Sequence, residues 1–298
     1  MSTHKNKMVF LKNPNWINSF DFKYEKFEDI PQEIFDGINS DLDKITGESP
    51  LVTVLISAWN EEVNILKCVS SLSKTKCNFP IEIIIVNNNS KDKTQQTIDK
   101  LNVTGLFEQK QGCGPARQWG QENAKGKYIL LADADCFYPP CWVEKMTQIL
   151  QQKDVVCVYG RYSFISEEGF PRWKLFLLER MKDLIAEFRQ INRPYFNAYG
   201  LSMGYVRELG LKVGFIETNF WGDDGQLCLG LMKYGKIKQV RSNDARVWTG
   251  PRTLQRDGDL HTAFKNRLKK EFRRFFHNFN AKLPQDAVHE SKSKTEEA

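Results

Sequence analysis

From residue 51 onward the chain alternates apolar, β-branched runs with segments of helical spacing, and that alternation narrows its possible folds more than any other feature. Residues 51–57, 81–86, a short stretch around Phe107, 128–132, 155–162, 237–240 and 245–248 read as strands. Between them, 61–72, 94–101, 115–124, 142–151, 173–191 and 223–234 carry apolar residues at helical spacing, and 200–211 reads as a turn and short helix. Strands separated by helices need crossover connections, so the expected fold class is α/β: a Rossmann-like, mostly parallel sheet with helices on both faces. The 298 residues suffice for one such domain with appendages. The expected organisation is an N-terminal extension over 1–49 (with a helix over 29–45), a main domain over 50–258, a basic amphipathic helix over 259–280 and a disordered tail over 281–298.

The formal charge of +6 is concentrated in one place. Lys265, Arg267, Lys269, Lys270, Arg273 and Arg274 stand against the single Glu271. Opposite them fall Leu260, Phe264, Leu268, Phe272, Phe275, Phe276 and Phe279. A helix of that pattern suits either a membrane interface, giving peripheral contact through 260–279, or packing on the main domain. No run reaches the roughly 18 to 20 apolar residues of a membrane span, and the N-terminus lacks a secretory apolar core, so the expected location is cytoplasmic. Seven cysteines without a C-x-x-C pair suit reduced thiols.

The stretch Tyr-Ile-Leu-Leu-Ala-Asp-Ala-Asp-Cys-Phe-Tyr over 128–138 ends an apolar strand in Asp133 and Asp135, separated by Ala134. Residues i and i+2 of a strand share a face, so both carboxylates can meet one point at the sheet's C-terminal edge. Like charges that close repel unless a cation intervenes, and Mg²⁺ typically takes one or two carboxylates and completes its shell with water and phosphate oxygens. A second reading is that Asp135 caps the helix that Pro139, Pro140 and Trp142 suggest. Three further sites fall at strand ends or helix starts: Ser57-Ala58-Trp59-Asn60-Glu61-Glu62, Asn87 to Thr94, and Gly112-Cys113-Gly114-Pro115-Ala116-Arg117. Asn60, Ser90 and Asp92 are also good capping types, while Arg117 has the geometry for a phosphate or base.

In order and spacing these motifs resemble the family 2 glycosyltransferases of the GT-A fold. The matching stretches are A-W-N-E-E, N-N-N-S-K-D-K-T, G-P-A-R-Q, D-A-D, G-L-S-M-G-Y-V-R and G-D-D-G-Q-L, over about residues 51–250. The resemblance implies an inverting, metal-dependent hexosyltransferase that uses Mg²⁺ or Mn²⁺, a nucleotide-sugar donor and a glycan or lipid-linked acceptor. It places Ala58, Asn60, Glu61, Asn87, Asn88, Arg117, Asp133, Ala134 and Asp135 in the donor site, with Asp135 and Asp133 on the metal. It makes Asp224 the general base beside Asp223, and Trp221 and Gly222 acceptor contacts. The family usually carries an Asp where Asn87 and Asn88 stand; asparagine still offers a donor and an acceptor but no charge. Asp223 and Asp224 also suit a helix N-terminus on charge alone. Arg252 and Arg256, after the last strand, are candidates for a phosphate or for a solvated loop.

Two other enzyme classes fit less well. A sugar-1-phosphate nucleotidyltransferase favours G-x-G-T-R after its first strand, and a Rossmann dehydrogenase needs a third glycine after Gly112 and Gly114. A nucleic-acid binder rests on the basic segment alone and leaves the strand-end carboxylates unexplained, so no nucleic-acid partner is expected.

Overall fold

The computed structural model describes residues 11–216 and 222–252. The described chain opens with short 3₁₀ turns and α1 (Gln32–Leu42), then runs β1 (Val52–Ala58), α2 (Asn64–Leu72), β2 (Ile81–Asn87), α3 (Thr94–Asp99) and β3 (Thr104–Phe107). Next come α4 (Cys113–Asn123), β4 (Tyr128–Asp133), β5 (Cys136–Phe137), α5 (Trp142–Leu150), β6 (Val155–Tyr159), β7 (Tyr162–Phe164) and the long α6 (Arg172–Asn192). The last described elements are β8 (Met203–Val206), α7 (Arg207–Val213), α8 (Asp223–Leu231), β9 (Lys236–Gln239) and β10 (Val247–Thr249).

The main sheet has the order β3-β2-β1-β4-β8-β6-β9. β8 pairs antiparallel with β4 and with β6, and the other pairings are parallel. A smaller sheet, β5-β10-β7, stands beside it. This is the α/β, mostly parallel architecture expected from the alternation, and it matches the GT-A fold that the family resemblance implies. β8 departs from the expectation: residues 203–206 are a strand at the sheet's centre, where a turn and short helix were predicted. The predicted strand over 155–162 is two strands in two sheets, broken at Gly160, whose amide donates to the Ser202 carbonyl.

Strand alternation divides the core. Val52, Val54 and Ile56 of β1, Ile81, Ile83 and Ile85 of β2, and Tyr128 and Leu130 of β4 pack with α1, α2 and α5. The intervening Leu55, Ile84, Val86, Ile129 and Leu131 pack with Ala116 of α4 and Leu227, Cys228 and Leu231 of α8. At 25 cal/mol per Å² of apolar surface, burying each such aliphatic side chain stabilises the fold by about 1.5–3 kcal/mol. Register then fixes the edge: Ser57 pairs with Asp133 and Ala58 with Asn87, so β1, β2 and β4 end level with one another.

Candidate functional site

Asp133 continues the parity of Ile129 and Leu131, so its side chain turns toward α4 and α8. Arg117, one residue after the core residue Ala116 on α4, meets it there. Arg117 is only 4% exposed, and its guanidinium gathers three carboxylates. Nη2 lies 3.3 Å from Asp133 Oδ1, Nη1 lies 2.8 Å from Asp223 Oδ2, and Nη1 also donates to Asp224 Oδ1. The other oxygen of Asp224 accepts the Gly200 amide at 2.8 Å. A side chain at Gly200 would displace this pair, because a Cβ there would stand 1.9 Å from Arg117 Nη2 and 2.8 Å from Asp224 Oδ1. The Arg207 end of that motif serves α4, donating to the Gln121 and Glu122 carbonyls at its C-terminus.

Asp135 reaches the site by a different route from the one expected. β4 ends at Asp133, and Ala134 and Asp135 form a turn, so the two carboxylates converge by chain reversal and not by strand alternation. A hydrogen bond from the Asp133 amide to Tyr138 Oη, at 2.8 Å, ties the turn down, and that hydroxyl donates to the Leu201 carbonyl at 3.0 Å. The capping reading of Asp135 fails, since α5 begins after Cys141 and no side chain caps it. One ligand atom each of Asp133, Asp135 and Cys136 lies within 4.8 Å of the others. Burial pushes the Cys136 thiol well up, with Asp135 and Asp133 adding to the effect, so it stays protonated and leaves two hard carboxylates as the donor set.

On the far side of Asp135, Arg252 Nη1 lies 2.7 Å from Glu61 Oε1 and 3.7 Å from Asp135 Oδ2. Among the described residues, five carboxylates (Glu61, Asp133, Asp135, Asp223 and Asp224) therefore meet two guanidiniums, a formal surplus of three negative charges. The surplus shows in the titration. Burial pushes the Asp133 carboxyl up to about 7; Arg117 opposes that, while Asp135, Asp224 and Asp223 add to it. Asp133 keeps 37% of its side-chain surface toward solvent, so it is accessible to a ligand although crowded by its neighbours. Burial likewise pushes Asp224 up to about 6 against the pull of Arg117, with Asp223 adding to the rise. At a site with surplus negative charge, the solvent-accessible Asp133, raised to about 7, together with Asp135 fits a divalent, oxygen-seeking cation such as Mg²⁺ or Mn²⁺.

The two asparagine-bearing loops are joined to each other. Asn60, at φ 55°, donates its amide to Ser90 Oγ and accepts from the Lys91 amide at 2.7 Å. The Glu61 amide donates to Thr94 Oγ1, and the Glu62 amide to Asp92 Oδ2. Asn60 and Ser90 thus clasp neighbouring loops instead of capping their own helices, while Asp92 does both, since it also accepts from the Thr94 amide at the start of α3. Asn87 and Asn88 are buried and internally partnered. Asn87 donates to Gln95 Oε1 and accepts from the Ser90 amide. Asn88 donates to the Lys110 and Glu108 carbonyls and accepts from the Gly112 amide at 2.7 Å. Beside the buried Ala58, Trp59 is 56% exposed at the same sheet edge.

Of the predicted site residues, the structure thus brings Ala58, Asn60, Glu61, Asn87, Asn88, Arg117, Asp133, Ala134, Asp135, Asp223, Asp224 and Arg252 to one edge. Gly222 stands at φ 107°, a backbone region that favours glycine, immediately before α8. Trp221, Arg256 and the 260–279 segment lie outside the described residues. Sequence reasoning missed Tyr138 and the Gly200 amide, which hold the site together through a hydroxyl and a backbone group that no local pattern marks. It gave Trp59 no role although the motif contains it.

Comparison with known proteins agrees with this architecture. The Haloferax volcanii protein named glycosyltransferase AglE is 28% identical over 154 residues, covering 48% of this chain and 50% of that one. An uncharacterized glycosyltransferase of Rickettsia prowazekii is 36% identical over 129 residues, 41% and 39% of the two chains. The matched region spans half or less of these curated relatives. Among solved structures, S. aureus TarS 1–349 superposes with a TM-score of 0.54 at 18% identity, covering 78% of this chain and 77% of that one. The mannosyltransferase PcManGT of Pyrobaculum calidifontis, solved with GDP-Man and Mn²⁺, gives 0.51 at 14% identity, covering 89% and 91%. At those identities the likeness is one of fold. The family model described as glycosyl transferase family 2 matches residues 53–210 of the 298, and with the curated relatives it shows that the chain belongs to glycosyl transferase family 2.

Proposed function

We propose that this chain is an inverting, metal-dependent glycosyltransferase that moves a sugar from a nucleotide-sugar donor to an acceptor hydroxyl on a glycan or lipid-linked precursor. The observation that carries the reading is the shared guanidinium of Arg117, which keeps the donor-side Asp133 and the base candidate Asp224 within one side chain of each other. Asp133 and Asp135 would hold Mg²⁺ or Mn²⁺, and when bound that ion supplies positive charge to the departing nucleoside diphosphate. Asp224 accepts the proton of the attacking hydroxyl; its lifted proton affinity brings it closer to the range where a base works at neutral pH. Arg117 acts by position, holding Asp224 at Oδ1 while Gly200 holds Oδ2. Trp59 offers an aromatic face to the nucleobase, since Asn87 and Asn88 already have internal partners. Arg252 is poised to exchange Glu61 for a donor phosphate. The acceptor enters past Gly222 and Trp221, and the 260–279 segment rests on the cytoplasmic face of a membrane.

The test is turnover of a panel of UDP-, GDP- and dTDP-sugars with Mn²⁺, alongside Asp224→Asn. A general base is typically worth ~10² to 10⁴ in rate, so the variant should lose that much turnover yet bind donor with unchanged affinity by calorimetry. Donor binding lost together with turnover would remove Asp224 from the base role. No sugar nucleotide bound by the unaltered chain would overturn the reading.

A further inference from the structure

Beyond the carboxylate cluster, the same sheet edge carries a second opening. β8 runs antiparallel to both β4 and β6, and β9 runs parallel to β6, so β4, β6 and β9 all end on the edge that holds Asp133. Neighbouring strands lie about 4.8 Å apart, which sets the ends of β6 and β9 about 10 and 14 Å along that edge from β4. There, between the two strand ends, the start of β7 and one side of α6, lies a cleft of ≈ 330 Å³ that is partly open to solvent. Tyr199 lines it and immediately precedes Gly200, whose amide holds Asp224. Two buried polar atoms of its lining residues have no hydrogen-bond partner among the described residues, Arg161 Nε and Gln239 Oε1. Gln239 is only 8% exposed, and it pairs across the sheet with Tyr159, two residues before Arg161, so the two side chains leave adjoining strand ends. Other polar groups around the cleft are answered inside the fold. Arg161 Nη2 donates to Glu187 Oε1 at 2.6 Å, Asp183 pairs with Arg246, and Asn197 Nδ2 donates to Tyr159 Oη at 3.0 Å. Folded proteins leave few buried polar atoms unanswered, so a donor and an acceptor beside one cleft mark a place for a group that supplies both.

We propose that this cleft is an acceptor subsite for a non-reacting hydroxyl of a saccharide, with Arg161 donating to the hydroxyl oxygen and Gln239 Oε1 accepting the hydroxyl hydrogen. That the saccharide is the acceptor rests on the sugar-transfer reading. The pairing of unanswered atoms selects the ligand. A hydroxyl both accepts and donates, so one such group satisfies Arg161 and Gln239 together. An ionised phosphate or carboxylate brings no donor for Gln239 Oε1, an ammonium meets the positive charge of Arg161, and an alkyl chain answers neither. Position selects the substrate: the cleft opens on the edge that carries the base candidate, and Tyr199 joins its wall to the Gly200 amide. An acceptor that presents one hydroxyl to Asp224 and places another in the cleft is therefore a polyhydroxylated ring or chain, not a simple lipid alcohol.

The experiment is saturation-transfer NMR titration of the full chain with methyl glucoside, methyl galactoside, methyl mannoside and methyl N-acetylglucosaminide, and with n-octanol as a hydroxyl without a ring. The proteins compared are the unaltered chain, Gln239→Leu and Arg161→Lys. Lysine keeps the charge beside Glu187 but has no Nε, and leucine removes the unanswered oxygen. At least one methyl glycoside should bind where n-octanol does not, and each variant should weaken it about tenfold. A deoxy analogue lacking the hydroxyl in the cleft should bind the unaltered chain as weakly as the parent glycoside binds the variants, with no further loss when the two changes are combined. Thermal melting separates binding from structure: Gln239→Leu removes a buried acceptor that has no bond to lose, so its melting temperature should hold or rise. The proposal is overturned if no methyl glycoside binds, or if the variants bind it as the unaltered chain does, which would leave the cleft to trapped water. Displacement of the glycoside by inorganic phosphate, or a lowered melting temperature of Gln239→Leu with glycoside binding unchanged, overturns it as well. None of these readouts involves turnover: glycoside binding that the variants lose, in a chain that binds no sugar nucleotide, would keep the saccharide subsite and remove the sugar-transfer reading.

Discussion

Arg117 faces Asp133, Asp223 and Asp224 with a single positive charge, and that imbalance sets the behaviour of each residue around it. Removing one partner of a buried ion pair typically costs 3–5 kcal/mol because the other charge is left uncompensated, so the guanidinium has little freedom to leave for a ligand. Gly200 shows how tight the fit is. A methyl group there would need the space of Arg117 Nη2, so Gly200→Ala should move the guanidinium, and Asp224 with it, while leaving the sheet intact. A misplacement of ~1 Å at a reacting group costs on the order of 10² in rate. The expected outcome is a loss of that size in kcat in a protein that still folds, with a lowered melting temperature; unchanged kcat would show that the Arg117–Asp224 geometry is dispensable. Asp224 supplies a second prediction. A base works deprotonated, and this carboxyl is pushed up to about 6, so with Mn²⁺ saturating, and Asp133 thereby kept deprotonated, kcat/KM should climb tenfold per pH unit below about 6 and level off above about 7. A profile that stays flat from pH 5 to 8 would assign the proton transfer elsewhere.

At the scale of elements, one asparagine links three of them. Asn88, at the end of β2, grips the Glu108 and Lys110 carbonyls after β3 and the Gly112 amide that precedes α4, the helix that carries Arg117. Asn88→Ala leaves these groups unpartnered in a buried place, a cost of about 1–3 kcal/mol. Urea unfolding should show that loss, and hydrogen exchange should quicken at Gly112; protection at Gly112 equal to the unaltered protein's would rule out this coupling. The same residue shows what was legible in sequence. That Asn88 belongs to the site follows from its position after an apolar strand, since strand ends line one edge of a parallel sheet. Its partners lie 20 to 24 residues away, beyond α3 and β3, and no periodicity encodes them. Elements with a clear pattern, such as β1, β2 and β4, were readable because their apolar pattern is their packing. β8 was not: four residues, one of them Gly204, precede a helix and carry too short a pattern to separate strand from turn, and only pairing with β4 and β6 makes them a strand. Asp133 and Asp224 were legible as acidic, but that they share Arg117 depends on folding across 107 residues of sequence.

For the molecule as a whole, the surplus charge at the sheet edge couples folding to pH and to metal. Asp133 and Asp224 have proton affinities raised above the ordinary carboxylate value of 3.8, to about 7 and about 6, so the folded state holds protons that the unfolded state releases. Stability from these two groups is therefore complete only below pH 3.8, declines as pH rises through about 6 and about 7, and levels off above that. Asp21, Asp41 and Glu187 have the opposite linkage: lysine or arginine partners hold them below the ordinary range, and their contribution is lost only in more acidic solution. Between pH 5 and 8 the site carboxylates set the carboxylate part of the trend. A divalent ion competes with those protons, so its benefit should grow as they leave. The metal-free protein should melt at a lower temperature at pH 8 than at pH 5. Mn²⁺ should raise the melting temperature more at pH 8, and Asp133→Asn should lose most of that response at both pH values. An Mn²⁺ response equal at the two pH values, or one that survives in Asp133→Asn, would mean that the ion binds elsewhere and that the acidic edge is neutralised by Arg117 and Arg252 alone.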